Sequence, residues 1–116
     1  MKKSDWVRLQ HIRQAADELT EIIQNRSRED LNTDRFFMFT VIKLVEIIGE
    51  ATSKVSTELR DQYPKVPWLQ MIRMRNRLIH GYFDINLNII WKTATENIPP
   101  RIPSDHGYFS DRITTD

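Results

Sequence analysis

Apolar residues recur at spacings of three and four through most of the chain, and this pattern predicts amphipathic helices. A first helix covers residues 5–24, with Ser4 or Asp5 as its N-cap. After a polar loop, Thr33 or Asp34 caps a second helix. The stripe of the first helix consists of Leu9, Ile12, Ala16, Leu19 and Ile23, and that of the second of Phe37, Val41, Leu44, Ile48, Ala51 and Val55.

The second helix carries more apolar side chains than one neighbouring helix can cover. Its apolar arc is widened by Phe36, Phe39, Ile42, Val45 and Ile47. Such a helix is either central in the fold or covered in addition by another subunit.

The rest of the pattern predicts one short and two further long helices. Residues 56–62 form the short one, and two prolines then enforce a break before Trp68. The next helix runs from Trp68 to a C-terminal stop near Gly81, and Asn86 caps the last one. The inner face of the helix from Trp68 is expected to contain Trp68, Met71, Ile72, Met74, Leu78 and Ile79.

No segment alternates with the period of two that a strand requires. The predicted fold is an all-α, antiparallel bundle of four to five helices, since short connections join neighbouring helices head to tail. The bundle domain covers residues 1–98, and residues 99–116 form a Pro-rich C-terminal tail.

Composition removes several classes of function. The chain has 17 basic and 16 acidic residues, so its net charge is close to zero. A polyanion such as a nucleic acid must therefore be bound by a local group of basic side chains, since the protein as a whole does not attract it. It has no cysteine, and its three histidines form no His-x-x-x-His pair, so neither a metal nor another cofactor is expected. No apolar run is long enough for a signal peptide or a membrane span, which predicts a cytoplasmic protein without a membrane partner.

The residues with the clearest chemistry lie in one segment, residues 75–82. Arg75 can hold two phosphate oxygens, the His80 imidazole can transfer protons near neutral pH, and the Tyr82 phenol returns to the helix face of Arg75. Asn76 lies near His80 on the helix surface. These residue types together suit phosphodiester chemistry, and Arg73 and Arg77 can guide the backbone of a nucleic acid.

The spacing of arginine and histidine is weak as a signal by itself. Residues 101–108 repeat it, including the His-Gly-Tyr at His106, but Pro103 forbids a regular helix there, so the first copy is the better candidate. On an ideal helix Arg75 and His80 lie about 140° apart. They could converge if the helix unwinds at its end, if the arginine wraps around the helix, or if a second copy faces the first across a two-fold axis.

Each candidate also has a purely structural interpretation. Cations and a histidine near a helix C-terminus often only complement the helix dipole. Glu46 and Glu50 could be a carboxylate pair for acid–base chemistry. The favoured interpretation is that Glu50 pairs with an arginine across the bundle and that Glu46 is solvated.

Three segments together resemble a known family. They are residues 48–51, residues 66–68, and residues 74–86 with Trp91, and they are similar to the HepT-like toxins of the HEPN superfamily. The resemblance implies a dimeric all-α protein with a ribonuclease site at the subunit interface. It implies that Arg75, Asn76 and His80 are catalytic, and that a cognate minimal nucleotidyltransferase antitoxin transfers AMP to Tyr82.

The resemblance predicts a metal-independent endoribonuclease toxin of a type II toxin–antitoxin pair. RNA supplies its own nucleophile, the 2′-hydroxyl, so the expected products are a 2′,3′-cyclic phosphate and a 5′-hydroxyl. The alternative is a non-catalytic helical binding module that partners a nucleotidyltransferase.

Overall fold

A computed structural model of the protein describes residues 2–80 and 85–98, and this part of the chain is helical with short connections and no strand. The predicted all-α bundle is confirmed. The helices are α1 (Lys3–Ile23), α2 (Asp30–Thr33), α3 (Arg35–Ser53), α4 (Thr57–Gln62), α5 (Trp68–His80) and α6 (Leu87–Lys92), and a π-helical turn (Thr93–Asn97) continues α6.

Helix α3 is the centre of the bundle. It packs most extensively on α5 and on α1, and it also contacts α2 and α6. Its stripe residues Val41 and Ile48 are buried, as are the additional Ile42 and Val45. Other additional apolar residues remain exposed, among them Phe36, whose exposed fraction is 85%. The α3 helix is therefore central, as the sequence predicts, and still presents apolar side chains to solvent.

Two of the predicted helix caps are confirmed. The Asp34 carboxylate accepts a hydrogen bond from the Phe37 backbone N–H at the start of α3. The Asn86 side chain accepts from the N–H groups of Asn88 and Ile89 at the start of α6. Each side chain satisfies backbone donors that the first helical turn leaves unpaired.

The predicted cap of α1 is wrong, because α1 begins at Lys3 and Asp5 lies inside its first turn. Asp5 is buried, and its carboxylate accepts from the Ser56 backbone N–H at 3.0 Å and from the Ser56 hydroxyl at 2.6 Å. The Ser56 hydroxyl in turn accepts from the Leu59 N–H as the cap of α4. Asp5 thus ties α1 to the start of α4, a long-range role that local sequence does not encode.

The segment predicted to be a polar loop contains the one-turn helix α2. Its Asp30 carboxylate accepts from the Ser27 backbone N–H at 2.7 Å. Arg26 pairs with Asp30 at 3.2 Å and with Asp34 at 2.8 Å, and its guanidinium lies 3.9 Å from the centre of the Phe37 ring. These contacts fix the connection between α1 and α3 against the bundle.

Helix α5 begins at Trp68 as predicted, and the Trp68 indole N–H donates to the Tyr63 carbonyl. Its inner face is formed by Trp68, Met71, Met74 and Leu78, all buried. Ile79, which the pattern assigns to this face, is 48% exposed. The predicted stop at Gly81 and the predicted tail lie outside the described residues. None of the helices in the described ranges is both long and apolar enough to cross a membrane.

Candidate functional site

Arg75 is oriented by two hydrogen bonds, one to Glu50 of α3 and one to its neighbour Asn76 on α5. Its Nε donates to Glu50 Oε2 at 2.8 Å, and its Nη1 donates to Asn76 Oδ1 at 2.8 Å. Within residues 2–80 and 85–98 no acceptor engages Nη2, and the side chain is 28% exposed. The guanidinium is therefore oriented by the protein and still able to bind an anion from solvent.

The Glu50 carboxylate is the group that fixes this orientation. The hydrogen bond from Arg75 holds the pKa of Glu50 below its ordinary value, and Lys54, at 3.5 Å, adds to the effect. Glu50 thus pairs with an arginine across the bundle, as predicted. Glu46, predicted to be solvated, forms a surface ion pair with Lys43 at 3.4 Å.

Gly49 makes the contact between α3 and α5 possible. A Cβ at this position would meet the Cβ of Arg75 and would lie 2.6 Å from the Met71 carbonyl oxygen, which is closer than packed atoms approach. The absence of a side chain allows the backbone of α5 to lie directly on α3. Gly49 therefore sets the depth at which Arg75 sits, and the next residue along α3, Glu50, orients it.

His80 lies at the C-terminal end of α5 with its side chain exposed. It lines a groove of about 380 Å³ between α5 and α6, together with Arg77, Ile85 and Asn86. Arg75 is absent from the lining of this groove, because it faces α3. Within one chain the structure therefore places the two predicted catalytic side chains on different faces of α5.

The predicted polar and basic neighbours lie in a second groove between α5 and α6, of about 540 Å³. Arg73, Asn76 and Arg77 line it from α5. Two residues that sequence reasoning missed, Lys92 and Asn97, line it from the other side. In the sequence, these two residues stand out only because they are not part of the apolar stripe of the last helix. That position does not reveal which other helix they face.

A third groove lies between α1 and α3, and Glu50 also lines it. His11 lines it with several cations of these two helices, including Arg8 and Lys54. No group of three or more possible metal ligands occurs in the described part of the chain. Tyr82, the predicted AMP acceptor, lies outside the described residues.

Comparisons with known proteins agree with the resemblance. The family model of the ribonuclease HepT-like family matches residues 12–103. A protein of Thermococcus cleftensis named "Probable ribonuclease HepT" is 37% identical over 99 residues, which is 85% of this chain and 90% of the relative. "Putative RNase TTE0752" of Caldanaerobacter subterraneus subsp. tengcongensis is 40% identical over 91 residues, 78% of this chain and 81% of the relative. No solved structure matches the chain.

The structure defines a small all-α protein with a fixed arginine and an exposed histidine on one helix. The chain belongs to the ribonuclease HepT-like family, since the family match spans most of its length, including residues 75–80.

Proposed function

We propose that this protein is a metal-independent endoribonuclease and the toxin of a type II toxin–antitoxin pair. It acts in the cytoplasm as a homodimer, and a minimal nucleotidyltransferase antitoxin neutralises it by transferring AMP to Tyr82. The observation that carries the nuclease proposal is Arg75, whose guanidinium is fixed by Glu50 and Asn76. No acceptor among the described residues engages its Nη2, and the exposed His80 lies on the same helix.

The chemistry needs only groups that this chain supplies. The RNA 2′-hydroxyl attacks the adjacent phosphorus while His80 takes its proton. Arg75 binds the non-bridging oxygens, where negative charge increases in the transition state. The bond from phosphorus to the 5′-oxygen breaks and that oxygen is protonated by an imidazolium, which leaves a 2′,3′-cyclic phosphate and a 5′-hydroxyl.

A dimer resolves the separation of the two catalytic side chains. His80 and Arg75 lie on different faces of α5, so a site that uses both needs a second copy of the helix. A two-fold axis near α5 would place Arg75 of one protomer opposite His80 of its partner. The imidazole that takes the proton of the 2′-hydroxyl would then return it to the leaving 5′-oxygen.

The nuclease proposal is tested by incubating the purified protein with RNA in the presence of EDTA. Wild type is expected to cleave and to leave cyclic phosphate ends, and His80→Ala is expected to be inactive. The matched control is His106→Ala, which removes the histidine of the repeated motif and should retain activity. Ends with a 3′-hydroxyl, or cleavage only with added magnesium, would contradict the proposal.

The alternative, a non-catalytic module that binds a nucleotidyltransferase, predicts a different result. Wild type and His80→Ala would then be equally inert towards RNA and equally harmless on expression. A toxic wild type and a harmless His80→Ala support the nuclease.

The proposed regulation is tested separately, by incubating the protein with a minimal nucleotidyltransferase of its own genome and ATP. Mass spectrometry should show the addition of AMP, and Tyr82→Phe should abolish it, because the phenol oxygen is the acceptor. Tyr108→Phe, in the repeated motif, should be modified like wild type. AMP near Arg75 would neutralise the cation and block RNA, so modification should also stop cleavage. A mass gain that survives Tyr82→Phe would contradict the assignment.

A further inference from the structure

We infer that the two grooves between α5 and α6 form one trough that holds the RNA strand beside the cleaved phosphate, with Lys92, Arg77 and Arg73 binding its backbone. The inference rests on the proposed ribonuclease function and adds to it the path of the substrate and a further binding residue, Lys92. It concerns a surface within one protomer, whereas the catalytic groups of the proposal come together between two.

The two grooves are continuous because they share part of their lining. Met74, Arg77 and Ile89 line both of them. One groove ends at His80, and the other extends past Arg73 and Lys92. The trough therefore begins at the proposed proton-transfer group and leads away from it along α5.

The cations in this trough are exposed and concentrated on one surface. Arg73, Arg77 and Lys92 line it, and none of the described residues that line either groove is acidic. In the described part of the chain these three cations take part in no ion pair, whereas Arg26, Lys43, Lys54 and Arg75 each do. Arg73 and Arg77, one turn apart, repel each other, and Lys92 faces them from α6. A polyanion would relieve this repulsion.

The uncharged part of the lining suits a nucleic acid strand. Gln70, Asn76 and Asn97 offer amide groups that can donate to phosphate oxygens or exchange hydrogen bonds with ribose hydroxyls. Met74 and Ile89 provide an apolar floor against which a base or a ribose can pack. A π-helical turn forms one wall, where Thr93 and Asn97 lie, and such turns are frequent at functional sites.

The dimensions match a short piece of one strand. Arg73 precedes His80 by seven residues, which is about 10 Å along a helix axis. A stacked nucleic acid strand advances about 3.4 Å per nucleotide, so the trough spans roughly three nucleotides. Three cations along this length match the charge of about three phosphates.

The test measures binding and cleavage separately. Binding of a fluorescent, unstructured single-stranded RNA to His80→Ala protein is followed by anisotropy at several salt concentrations, with and without Lys92→Gln. We expect Lys92→Gln to weaken binding about 3- to 10-fold. It should also reduce the slope of log K against log salt by about 0.7, the value for one lost contact with a single strand.

The matched control is Lys65→Gln, an exposed lysine that lines none of the three grooves. It should leave affinity and slope unchanged. Equal effects of both substitutions, or no effect of Lys92→Gln, would overturn the trough. In the chain with His80 intact, Lys92→Gln should raise KM and leave kcat near wild type. A wild type that binds RNA through Lys92 and does not cleave it would refute the proposed nuclease and leave the trough intact.

Discussion

Arg75 is the side chain on which the proposed chemistry depends, and two neighbours fix its position. The hydrogen bond from Arg75 lowers the pKa of Glu50, so the carboxylate stays ionised and the pair persists over the near-neutral range in which an imidazole can transfer protons. Asn76 holds a second nitrogen of the same guanidinium. A guanidinium that is already oriented loses less conformational entropy when it binds a phosphate. Glu50 and Asn76 would raise the rate of cleavage in this way, as positioning residues.

We expect Glu50→Gln to lower kcat for RNA cleavage about 10- to 100-fold, because the neutral amide no longer holds the guanidinium in place. The matched control is Glu46→Gln, one turn earlier on α3, where the carboxylate forms a surface ion pair with Lys43. It should be as active as wild type. Single-turnover kinetics at saturating RNA, with circular dichroism to verify the fold, decides the matter. Wild-type kcat in Glu50→Gln would show that Arg75 needs no orienting partner.

Two contacts between elements determine how the bundle presents the site. Gly49 allows α5 to lie on α3 at the level of Arg75, and Asp34 caps α3 and pairs with Arg26 of the preceding connection. The first sets the depth of the site, and the second fixes the start of the central helix. Both depend on residues that a helical pattern alone would treat as ordinary.

Gly49→Ala should destabilise the protein, although alanine favours helix over glycine by about 1 kcal/mol. The added methyl group meets α5 at Arg75 and Met71, and overpacking of this kind costs about 1–3 kcal/mol. Thermal unfolding measures the effect. Thr40→Ala, at an exposed position of the same helix, is the control and should change the Tm little. A higher Tm in Gly49→Ala would mean that the two helices are not in close contact.

Asp34 gives the start of α3 a pH dependence. The Phe37 backbone N–H and then Arg26 lower the pKa of Asp34, so its contribution to stability is present above the ordinary carboxyl pKa and is lost as the pH falls through the lowered value. We expect Asp34→Asn, which keeps the cap and removes the charge, to lower the Tm at neutral pH.

The difference in Tm should shrink below about pH 4, the ordinary carboxyl pKa, where the unfolded chain begins to take up the proton. It should vanish once the native Asp34 is protonated too, below its lowered pKa. Asp61→Asn, at an exposed position of α4, is the control and should leave the Tm at neutral pH close to that of wild type. A difference that stays constant down to acidic pH would show that the charge of Asp34 is not involved.

On the scale of the whole molecule, several large apolar side chains of the described residues are exposed. In the described ranges they include Phe36 on α3 together with Leu69 and Ile79 on α5. Helices α3 and α5 also carry Glu50 and Arg75. These exposed side chains are compatible with the proposed dimer, in which the site is complete only when two copies meet.

Subunit complementation tests whether two protomers share the site. Arg75→Ala and His80→Ala chains, each inactive alone, are mixed after partial unfolding and refolded together. Random pairing makes about half of the dimers mixed. If each site takes Arg75 from one protomer and His80 from its partner, one of the two sites in a mixed dimer is intact, so the expected recovery is about a quarter of wild-type activity. No recovery, with mixed dimers verified by mass spectrometry, would place both groups in one protomer.

Much of the fold could be predicted from the sequence because helices are encoded locally. The spacing of apolar residues gave the long helices, and the short polar side chains of Asp34 and Asn86 marked two of their starts. The pairing of Glu50 with an arginine was also predictable, since a carboxylate in an apolar stretch needs a cation. The exception was Asp5, where a capping residue type is used for a contact 51 positions away.

The sequence by itself determined the helices, the residue types of the site and, through its motifs, the family. Only the tertiary structure decided which faces meet: that Arg75 turns to Glu50, that His80 turns to α6, and that Lys92 joins Arg73 and Arg77 in one trough. The reason is physical. A helical period depends on neighbours three and four positions apart, whereas the rotation of one helix against another is set by the packing of all side chains between them, as at Gly49.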